Sequence, residues 1–204
     1  IIQKKFPDVK IVQHAFEDYT KQRNFAIQQT QKDWILFLDA DVRITEPLKK
    51  EILEVIKTPE TKDVYFIKRQ FFYNKKPIHF SGTQNDKNAR LIKHKFAHYK
   101  NKKRVHEVID SKGETSVLEN KMFHYSFINY ETYKNKVKKY AFLKAQDLKD
   151  EGKKFNLILQ IGKTGFIFFK MYFIKLGILD GKAGLILSYL SAYTTYKTFY
   201  FLKH

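Results

Sequence analysis

The sequence predicts an α/β fold in which a mixed sheet has helices on both faces and is followed by a helical tail. Strand-like and helix-like patterns alternate through residues 1–70. Residues 34–38, "WILFL", are apolar throughout, which is typical of a strand covered on both faces, as in parallel sheets. Beyond residue 126 the pattern changes to amphipathic and aromatic-rich helices. With 43% hydrophobic residues, a chain of 204 residues can fill one core of ordinary size.

The first part of the chain is predicted to contain short elements with recognisable ends. Residues 9–16 have the composition of a short strand, and the residues before them have the pattern of a helix broken near Pro7. Residues 20–30 form a helix-like stretch that Thr20 can cap, and a strand follows at residues 33–38. We expect a further helix at residues 45–57, because Thr45 can cap it and Pro47 suits its first turn.

The middle of the chain is predicted to add strands and then a basic helix. Residues 63–80, "DVYFIKRQFFYNKKPIHF", favour strands joined by a turn at "NKKP". The segments "NARLIKH", "KRVHEVIDSKGETSVLEN" and "KMFHYSF" have the pattern of further short strands. Residues 129–151 carry tyrosines and aliphatic residues at helical spacing, with lysines mostly between them. We interpret the lysines of residues 134–139 as a solvated face, which would also suit an anionic membrane.

The tail at residues 155–204 is dense in Phe, Ile, Leu and Tyr. Its run "TGFIFFKMYFIKLGIL" contains Lys170 and Lys175, so it falls short of the ~18 uninterrupted apolar residues of a membrane-spanning helix. Residues 183–202 are long enough, but Ser, Thr and Lys197 dilute them. We therefore expect helices that lie in a membrane interface rather than helices that cross the membrane.

Charge and cysteine content limit the partners and the chemistry. A formal net charge of +18 favours an anionic partner, such as nucleotide phosphates, nucleic acid or an acidic membrane surface. The sequence has no cysteine, which excludes disulfides, thiolate zinc sites and cysteine nucleophiles within it and fits a reducing compartment.

Two carboxylates, Asp39 and Asp41, come directly after the apolar run of residues 34–38. Ligands of open α/β sheets bind beyond the carboxyl ends of the strands, which is where these side chains are predicted to lie. One or two carboxylates can hold Mg²⁺ or Mn²⁺ while water and substrate phosphates complete the coordination shell. The alternative is that both residues form a turn before the helix that starts near Thr45. The pattern alone leaves both interpretations open.

An ordered set of motifs resembles a known family. The stretch "QRNFAIQQTQKDWILFLDADVRITEPL" is similar to the donor-binding half of glycosyltransferase family 2, which carries an Arg-Asn-rich helix, a hydrophobic strand and Asp-x-Asp in this order. The later "NARLIKH", "KRVHEVID", "ENKMFHYSF" and "FFKMYFIKLGILDGKAGL" resemble the subgroup that adds sugars to lipopolysaccharide core or similar surface glycans.

This resemblance implies a GT-A-like core at residues 1–125 and a helical, membrane-associated region at residues 126–204. Family members open with a strand and an Asp-containing loop that reads the nucleotide base. No match for either precedes Ile1, so we expect a core that lacks its first strand, with a donor pocket open on that side.

The resemblance also implies roles for single residues. Glu107 would be the base that deprotonates the acceptor hydroxyl, although it can equally pair with Lys103 or Arg104. The remaining positions would bind the donor or a cation: Arg23, Asn24, Asp39, Arg90 and His106 the nucleotide or its phosphates, and Asp39, Asp41 and His124 the metal. Structural histidines and a strand-surface arginine are the alternatives for His106, His124 and Arg90.

The implied activity is inverting transfer of a sugar, assisted by Mg²⁺ or Mn²⁺, from a nucleotide-sugar donor such as a UDP-sugar. The implied acceptor is a glycan or glycolipid, and the implied location is the inner face of the cytoplasmic membrane, held peripherally on its anionic surface. No nucleic acid partner is expected.

Three other classes of protein fit parts of the sequence. A nucleic-acid-binding protein would explain the charge and the aromatic residues among basic ones, as in "KHKFAHYKNKKR". A metal-dependent nuclease or phosphotransferase would usually need more clustered carboxylates. A non-catalytic membrane-associated scaffold would leave "FLDAD" without a role. Selective binding of a nucleoside diphosphate with Mn²⁺ would distinguish the glycosyltransferase from all three.

Overall fold

The computed structural model describes residues 2–100, 108–109 and 113–204. Its α-helices are α1 (Ile2–Lys5), α2 (Tyr19–Gln28), α3 (Glu46–Lys57), α4 (Tyr130–Asp150), α5 (Leu157–Phe169) and α6 (Gly181–Lys203). Short 3₁₀ turns lie at His94–Phe96 and Gly177–Asp180, and a π-helical turn at Lys170–Ile174 follows α5. The strands are β1 (Trp34–Leu36), β2 (Val42–Arg43), β3 (Val64–Tyr73), β4 (Lys76–Ile78), β5 (Lys87–Lys93), β6 (Tyr99–Lys100), β7 (Val108–Ile109) and β8 (Thr115–Phe127).

The main sheet has six strands in the described chain, in the order β1-β5-β3-β8-β2, with β4 paired to β3. Strands β3 and β8 are parallel, and the other pairs of this sheet are antiparallel. A separate antiparallel pair joins β6 to β7. The sheet is therefore mixed, as predicted.

Helices cover both faces of this sheet. On one face, Leu48 and Ile52 of α3 pack with Tyr65 and Ile67 of β3. On the other, Ile27 of α2 packs in the cluster that contains Val64 and Ile92 of the sheet. Successive residues of β3 enter opposite clusters because side chains alternate between the faces of a strand. The predicted α/β architecture with a helical tail is confirmed.

The N-cap of α3 agrees with its prediction, and the N-cap of α2 does not. Thr45 caps α3 by accepting a hydrogen bond from the Leu48 N–H, with Pro47 in the first turn. The predicted Thr20 cap is wrong, because the side chain of Asp18 accepts the hydrogen bond from the Lys21 N–H and α2 starts at Tyr19. Aspartate and threonine are both good caps, so composition did not decide between them.

The strand predicted at residues 9–16 is not formed. This segment is irregular, and Val9, Ile11, Val12 and Phe16 are exposed. No described strand pairs with it. A strand needs a ladder partner for its backbone groups, which the composition of the segment does not reveal.

Strand β1 also differs from its prediction. It pairs with β5 and stands at one end of the strand order, and Trp34, Ile35 and Leu36 are only half-buried. The expectation of a central strand in a parallel ladder is wrong for the described sheet. Coverage on both faces is found in part, because Trp34 and Leu36 pack against one hydrophobic cluster and Ile35 packs against the other.

The tail packs against the core through α4, α6 and the turn between α5 and α6. Leu187 of α6 lies in one cluster with Phe71 and Ile78 of the sheet. The carboxylate of Asp180 accepts hydrogen bonds from the backbone N–H of His79 and Phe80 at 3.0 Å and from the Ser81 hydroxyl at 2.7 Å. The predicted domain boundary at residue 125 falls within strand β8. The division of the chain into two domains at this point stays a prediction.

The surface of α5 is apolar and exposed. Ile158 is 84% exposed and Ile161 is 66% exposed. In the described chain, one stretch, Leu157–Ile174, is long and apolar enough to cross a membrane, and 6% of it is buried. This stretch overlaps the run "TGFIFFKMYFIKLGIL", and by length and composition it fits a spanning helix as well as the expected interfacial one.

Candidate active site

The two aspartates lie in a short loop that connects opposite ends of the strand order. β1 stands at one end and β2 at the other, so residues 37–41 pass from one edge of the sheet to the other. Four strand spacings of about 4.8 Å would be roughly 19 Å, close to the full reach of the connecting residues. The loop is not fully extended, since the Val42 N–H donates back to the Asp39 carbonyl. The sheet must therefore curl, and its concave side is where the loop places both carboxylates.

Asp39 binds two arginines. Its Oδ2 accepts from Nη2 of Arg90 at 2.5 Å, and its Oδ1 accepts from Nη2 of Arg23 at 3.3 Å. The Arg90 side chain is 4% exposed, whereas that of Asp39 is 37% exposed. Burial acts to raise the pKa of Asp39, but the hydrogen bond and charge of Arg90 and the charge of Arg23 outweigh it and lower the pKa. Asp39 is therefore ionised at neutral pH and compensates a buried cation.

Arg90 and Arg23 are held in place by different surroundings. Arg90 lies in β5, and its Nε and Nη1 are buried without a hydrogen-bond partner among the described residues. The Arg23 guanidinium lies over the rings of Phe37 and Tyr99, at 5.6 and 5.4 Å from their centroids. Both cations thus face the loop of the aspartates from fixed positions.

Asp41 faces His124. Its Oδ2 lies 3.2 Å from Nε2 of His124, and the two chain segments are joined because Val42 pairs with His124 between β2 and β8. The hydrogen bond from His124 is the main cause that lowers the pKa of Asp41, with the charges of His124 and Lys136 acting in the same direction against burial. The Asp41 side chain is 35% exposed and lines a cavity beside the loop, so it can reach a ligand there.

These residues fit a cation with few protein ligands. No group of three or more His, Cys, Asp or Glu side chains that could hold a metal occurs in the described part of the chain. Asp39 is committed to two arginines, and Nε2 of His124 is directed at Asp41. Asp41, with Asp39 beside it, could serve a Mg²⁺ or Mn²⁺ ion that takes its other ligands from water and phosphate.

Asn24 lies outside this cavity. Its amide pairs with the backbone of Tyr99 in both directions, as Nδ2 donates to the Tyr99 carbonyl and Oδ1 accepts from the Tyr99 N–H, both at 2.9 Å. These contacts attach α2 to β6. The structure therefore brings Arg23, Asp39, Asp41, Arg90 and His124 together and leaves Asn24 apart, while His106 and Glu107 lie outside the described residues.

The cavity beside the loop has a volume of about 880 Å³, and its lining includes residues for which the sequence predicted no role in binding. Arg69 lines it, paired with Asp86 at 2.5 and 2.8 Å. Helix α4 contributes a row of side chains at helical spacing, namely Tyr133, Lys136 and Tyr140. The interpretation of Lys136 as part of a solvated face is wrong. Its spacing from Tyr133 and Tyr140 was the one signal in the sequence that it shares their side of the helix.

One family model matches the part of the chain that carries this loop. The model of the family described as "Glycosyl transferase family 2" matches residues 1–123, which include the whole loop of the aspartates. The chain belongs to glycosyltransferase family 2. Members of this family transfer sugars from nucleotide-sugar donors to acceptors, which accounts for a cavity that carries both carboxylates and cations.

Proposed function

We propose that the protein is a metal-dependent, inverting glycosyltransferase that moves a sugar from a nucleotide-sugar donor, a UDP-sugar in the first instance, to lipopolysaccharide core or another surface glycan. The observation that carries the proposal is the loop of Asp39 and Asp41, which presents two ionised carboxylates to a cavity that also contains Arg23 and Arg90. A nucleoside diphosphate needs such a mixture of cations and metal-binding oxygens.

The residues of the site have two roles in this proposal: some bind the metal or the phosphates, and others orient the side chains that do so. Asp41 and Asp39 would hold Mg²⁺ or Mn²⁺, and His124 orients the Asp41 carboxylate through its Nε2. The metal, when bound, supplies positive charge against the negative charge that develops on the departing diphosphate. Arg23 and Arg90, fixed by Asp39, add cationic character to the same wall of the cavity.

The proposed chemistry is one direct displacement at the anomeric carbon. The acceptor hydroxyl oxygen forms a bond to this carbon as the bond to the donor phosphate oxygen breaks, and that oxygen keeps the electron pair. The hydroxyl proton passes to a general base, for which Glu107 is the predicted residue. Attack on the face opposite to the leaving group inverts the configuration.

We also propose that the tail holds the enzyme on an anionic membrane, on its cytoplasmic side, where a glycolipid acceptor would be reached. Support comes from the exposed apolar side chains of α5 and from the net charge of +18. The lysines of the tail, such as Lys163 and Lys170, lie along the same apolar stretch.

Binding of nucleoside diphosphates to the purified protein tests the proposed function. Calorimetric titration with UDP and with GDP, in the presence and absence of Mn²⁺, should show saturable binding of one nucleotide that Mn²⁺ strengthens. Asp41→Ala should abolish the Mn²⁺ effect and sugar transfer with little change in thermal unfolding, because Asp41 is partly exposed.

Glu46→Gln is the matched control, since Glu46 is an exposed carboxylate on α3 whose only ion pair in the described chain is with Lys49 at 3.6 Å. It should bind as the unchanged protein does. Binding of single-stranded nucleic acid in preference to every nucleoside diphosphate would instead favour a nucleic-acid-binding protein.

A further inference from the structure

We infer that Lys136 binds the diphosphate of the donor, so that helix α4 forms part of the active site. This inference rests on the proposed function and adds to it a residue beyond the stretch that the family model matches, residues 1–123.

The position of Lys136 is the first argument. It lines the cavity that also contains Asp39, Asp41 and Arg90. Its Nζ donates to the hydroxyl of Ser126 at 3.0 Å. Ser126 and His124 both belong to β8, and both line this cavity. The charge of Lys136 reaches Asp41, whose pKa it helps to lower.

The pairing of charges is the second argument. The other cationic side chains of the cavity are held by carboxylates, Arg23 and Arg90 by Asp39 and Arg69 by Asp86. Lys136 differs from them, because its hydrogen-bond partner is a neutral hydroxyl and no described carboxylate lies within ion-pair distance of it. It is half-buried beside the ring of Tyr140, at 6.0 Å from the ring centroid. An ammonium group in this setting gains from an anion that enters the cavity.

The rigidity of α4 is the third argument. Val137 and Ala141 are buried, and Asn129 caps the helix by accepting from the Thr132 N–H at 2.9 Å. The ring of Tyr133 meets that of Phe127, with 4.5 Å between the ring centroids, and ties the start of the helix to the end of β8. Lys136 therefore extends into the cavity from a fixed backbone, and only its flexible side chain has to change conformation to contact a ligand.

These observations favour a phosphate ligand over the membrane as the partner of Lys136. A lysine that attracts a membrane surface has to project outwards, as the exposed Lys138 and Lys139 do on the same helix. Lys136 lines the cavity instead and donates to Ser126 within it. A phosphate group held by a metal at Asp41 would lie within the field of Lys136, which would thus stabilise negative charge on the leaving group.

The test uses inorganic diphosphate, because it reports on the phosphate site whatever nucleoside the donor carries. Its dissociation constant is measured by calorimetry with Mg²⁺ for the unchanged chain, Lys136→Met, Lys136→Arg and Lys138→Met. Loss of one charge-assisted hydrogen bond should weaken binding about ten-fold or more in Lys136→Met. Lys136→Arg should restore part of the affinity, and Lys138→Met should bind as the unchanged chain does. Thermal unfolding of each variant checks that α4 still packs.

Ser126→Ala provides a second variant that keeps the charge. It removes the neutral partner of Lys136 and should retain diphosphate affinity within about three-fold, because the cation itself makes the contact. If Lys136→Met binds diphosphate as tightly as the unchanged chain, the inference is overturned, and the proposed function stands. If the unchanged chain binds neither diphosphate nor any nucleoside diphosphate, the proposed function itself fails. A variant that keeps its diphosphate affinity and loses only acceptor affinity would assign Lys136 to the acceptor and would also overturn the inference.

Discussion

At the scale of residues, the site contains one carboxylate that compensates buried positive charge and another that remains available to a ligand. Asp39 satisfies Arg90, which would be costly to leave unpaired at 4% exposure. In the described chain, the one side chain that forms a hydrogen bond with Asp41 is His124. The Asp-x-Asp motif therefore has two unequal members: Asp39, which also neutralises Arg23 and Arg90, and Asp41, whose carboxylate is the more available to a ligand.

Asp39→Asn should destabilise the fold in a pH-dependent manner. The pKa of Asp39 is lowered below its ordinary value of 3.8, so its contribution is present above that value and is lost as the pH falls through the folded-state pKa. At pH 7 we expect a loss of about 1–2 kcal/mol in the free energy of unfolding, at the low end for a buried ion pair because Asp39 is partly exposed.

Urea unfolding at pH 7 and at pH 3 measures this difference. The gap between Asp39→Asn and the unchanged chain should narrow at the lower pH, because below pH 3.8 the carboxylate of the unfolded chain takes up a proton more readily than the native one, whose pKa is lowered. Glu46→Gln, at an exposed ion pair in the first turn of α3, should show a gap of at most about 0.5 kcal/mol at pH 7. An equal gap for Asp39→Asn at both pH values would mean that the arginine contacts do not depend on its charge.

At the scale of elements, the tail is fixed to the core by close backbone packing as well as by the Asp180 carboxylate. A Cβ added at Gly184 in α6 would lie 1.7 Å from the carbonyl oxygen of Gly177, a backbone atom that cannot rotate away. Gly177 itself is buried, and its own added Cβ would meet the Met171 carbonyl oxygen at 2.8 Å. The glycines of "LGILDGKAGL" thus allow the start of α6 to touch the turn before it.

Gly184→Ala should therefore disrupt this junction. Overpacking against a backbone atom typically costs about 1–3 kcal/mol, and the first contacts to be lost should be those of Asp180 with residues 79–81. Limited proteolysis should cut the variant between the core and the tail faster than the unchanged chain.

Gly165→Ala in α5 is the matched control for Gly184→Ala. A Cβ there meets no described atom within 4 Å. The change should be neutral or should stabilise the helix by up to about 1 kcal/mol through helix propensity. Equal behaviour of the two alanine variants would show that the close approach at Gly184 does not hold the tail in place.

At the scale of the whole molecule, a charged α/β core carries an apolar helical surface on one part of its exterior. The net charge of +18 attracts anionic surfaces, while the exposed aliphatic and aromatic residues of α5 would enter a lipid interface. With Lys136 assigned to the cavity, attraction to lipid has to come from other lysines, including the exposed Lys138 and Lys139.

Co-sedimentation with liposomes tests this surface in the full chain. Vesicles containing anionic lipid should bind the protein, and binding should weaken as salt increases, because the charges are solvent-exposed. Ile158→Glu combined with Ile161→Glu should reduce binding about ten-fold or more, since both side chains are mostly exposed and would enter the apolar layer. Leu53→Glu, an exposed apolar position on α3, serves as the control and should bind normally.

Two results would contradict interfacial binding through α5. Unchanged binding by the double glutamate variant would show that α5 does not face the lipid. Retention on vesicles at high salt and high pH would indicate that Leu157–Ile174 crosses the bilayer, which its length and composition allow.

Much of the fold was predictable from local pattern. The cap at Thr45, the turn at "NKKP" and the helix at residues 129–151 each depend on side-chain chemistry or spacing within a few residues, and the structure reproduces them. The Asp-x-Asp pair was recognisable for the same reason. Strand partners were not predictable, because the pairing of β1 with β5 joins residues distant in sequence, and the apolar run of residues 34–38 has no feature that distinguishes an edge strand from a central one.

The sequence by itself determined the family motifs, the alternation of helices and strands, and the two carboxylates with their basic surroundings. Only the tertiary structure decided which charges meet, since Arg23, Arg90 and Lys136 come from α2, β5 and α4 and converge on a loop that crosses the curled sheet. It also assigned Asn24 to the backbone of Tyr99. The physical reason is that the types and spacing of residues determine which face of a helix or strand a side chain shares with its neighbours along the chain. Which residue of another element it contacts depends on how all the elements pack.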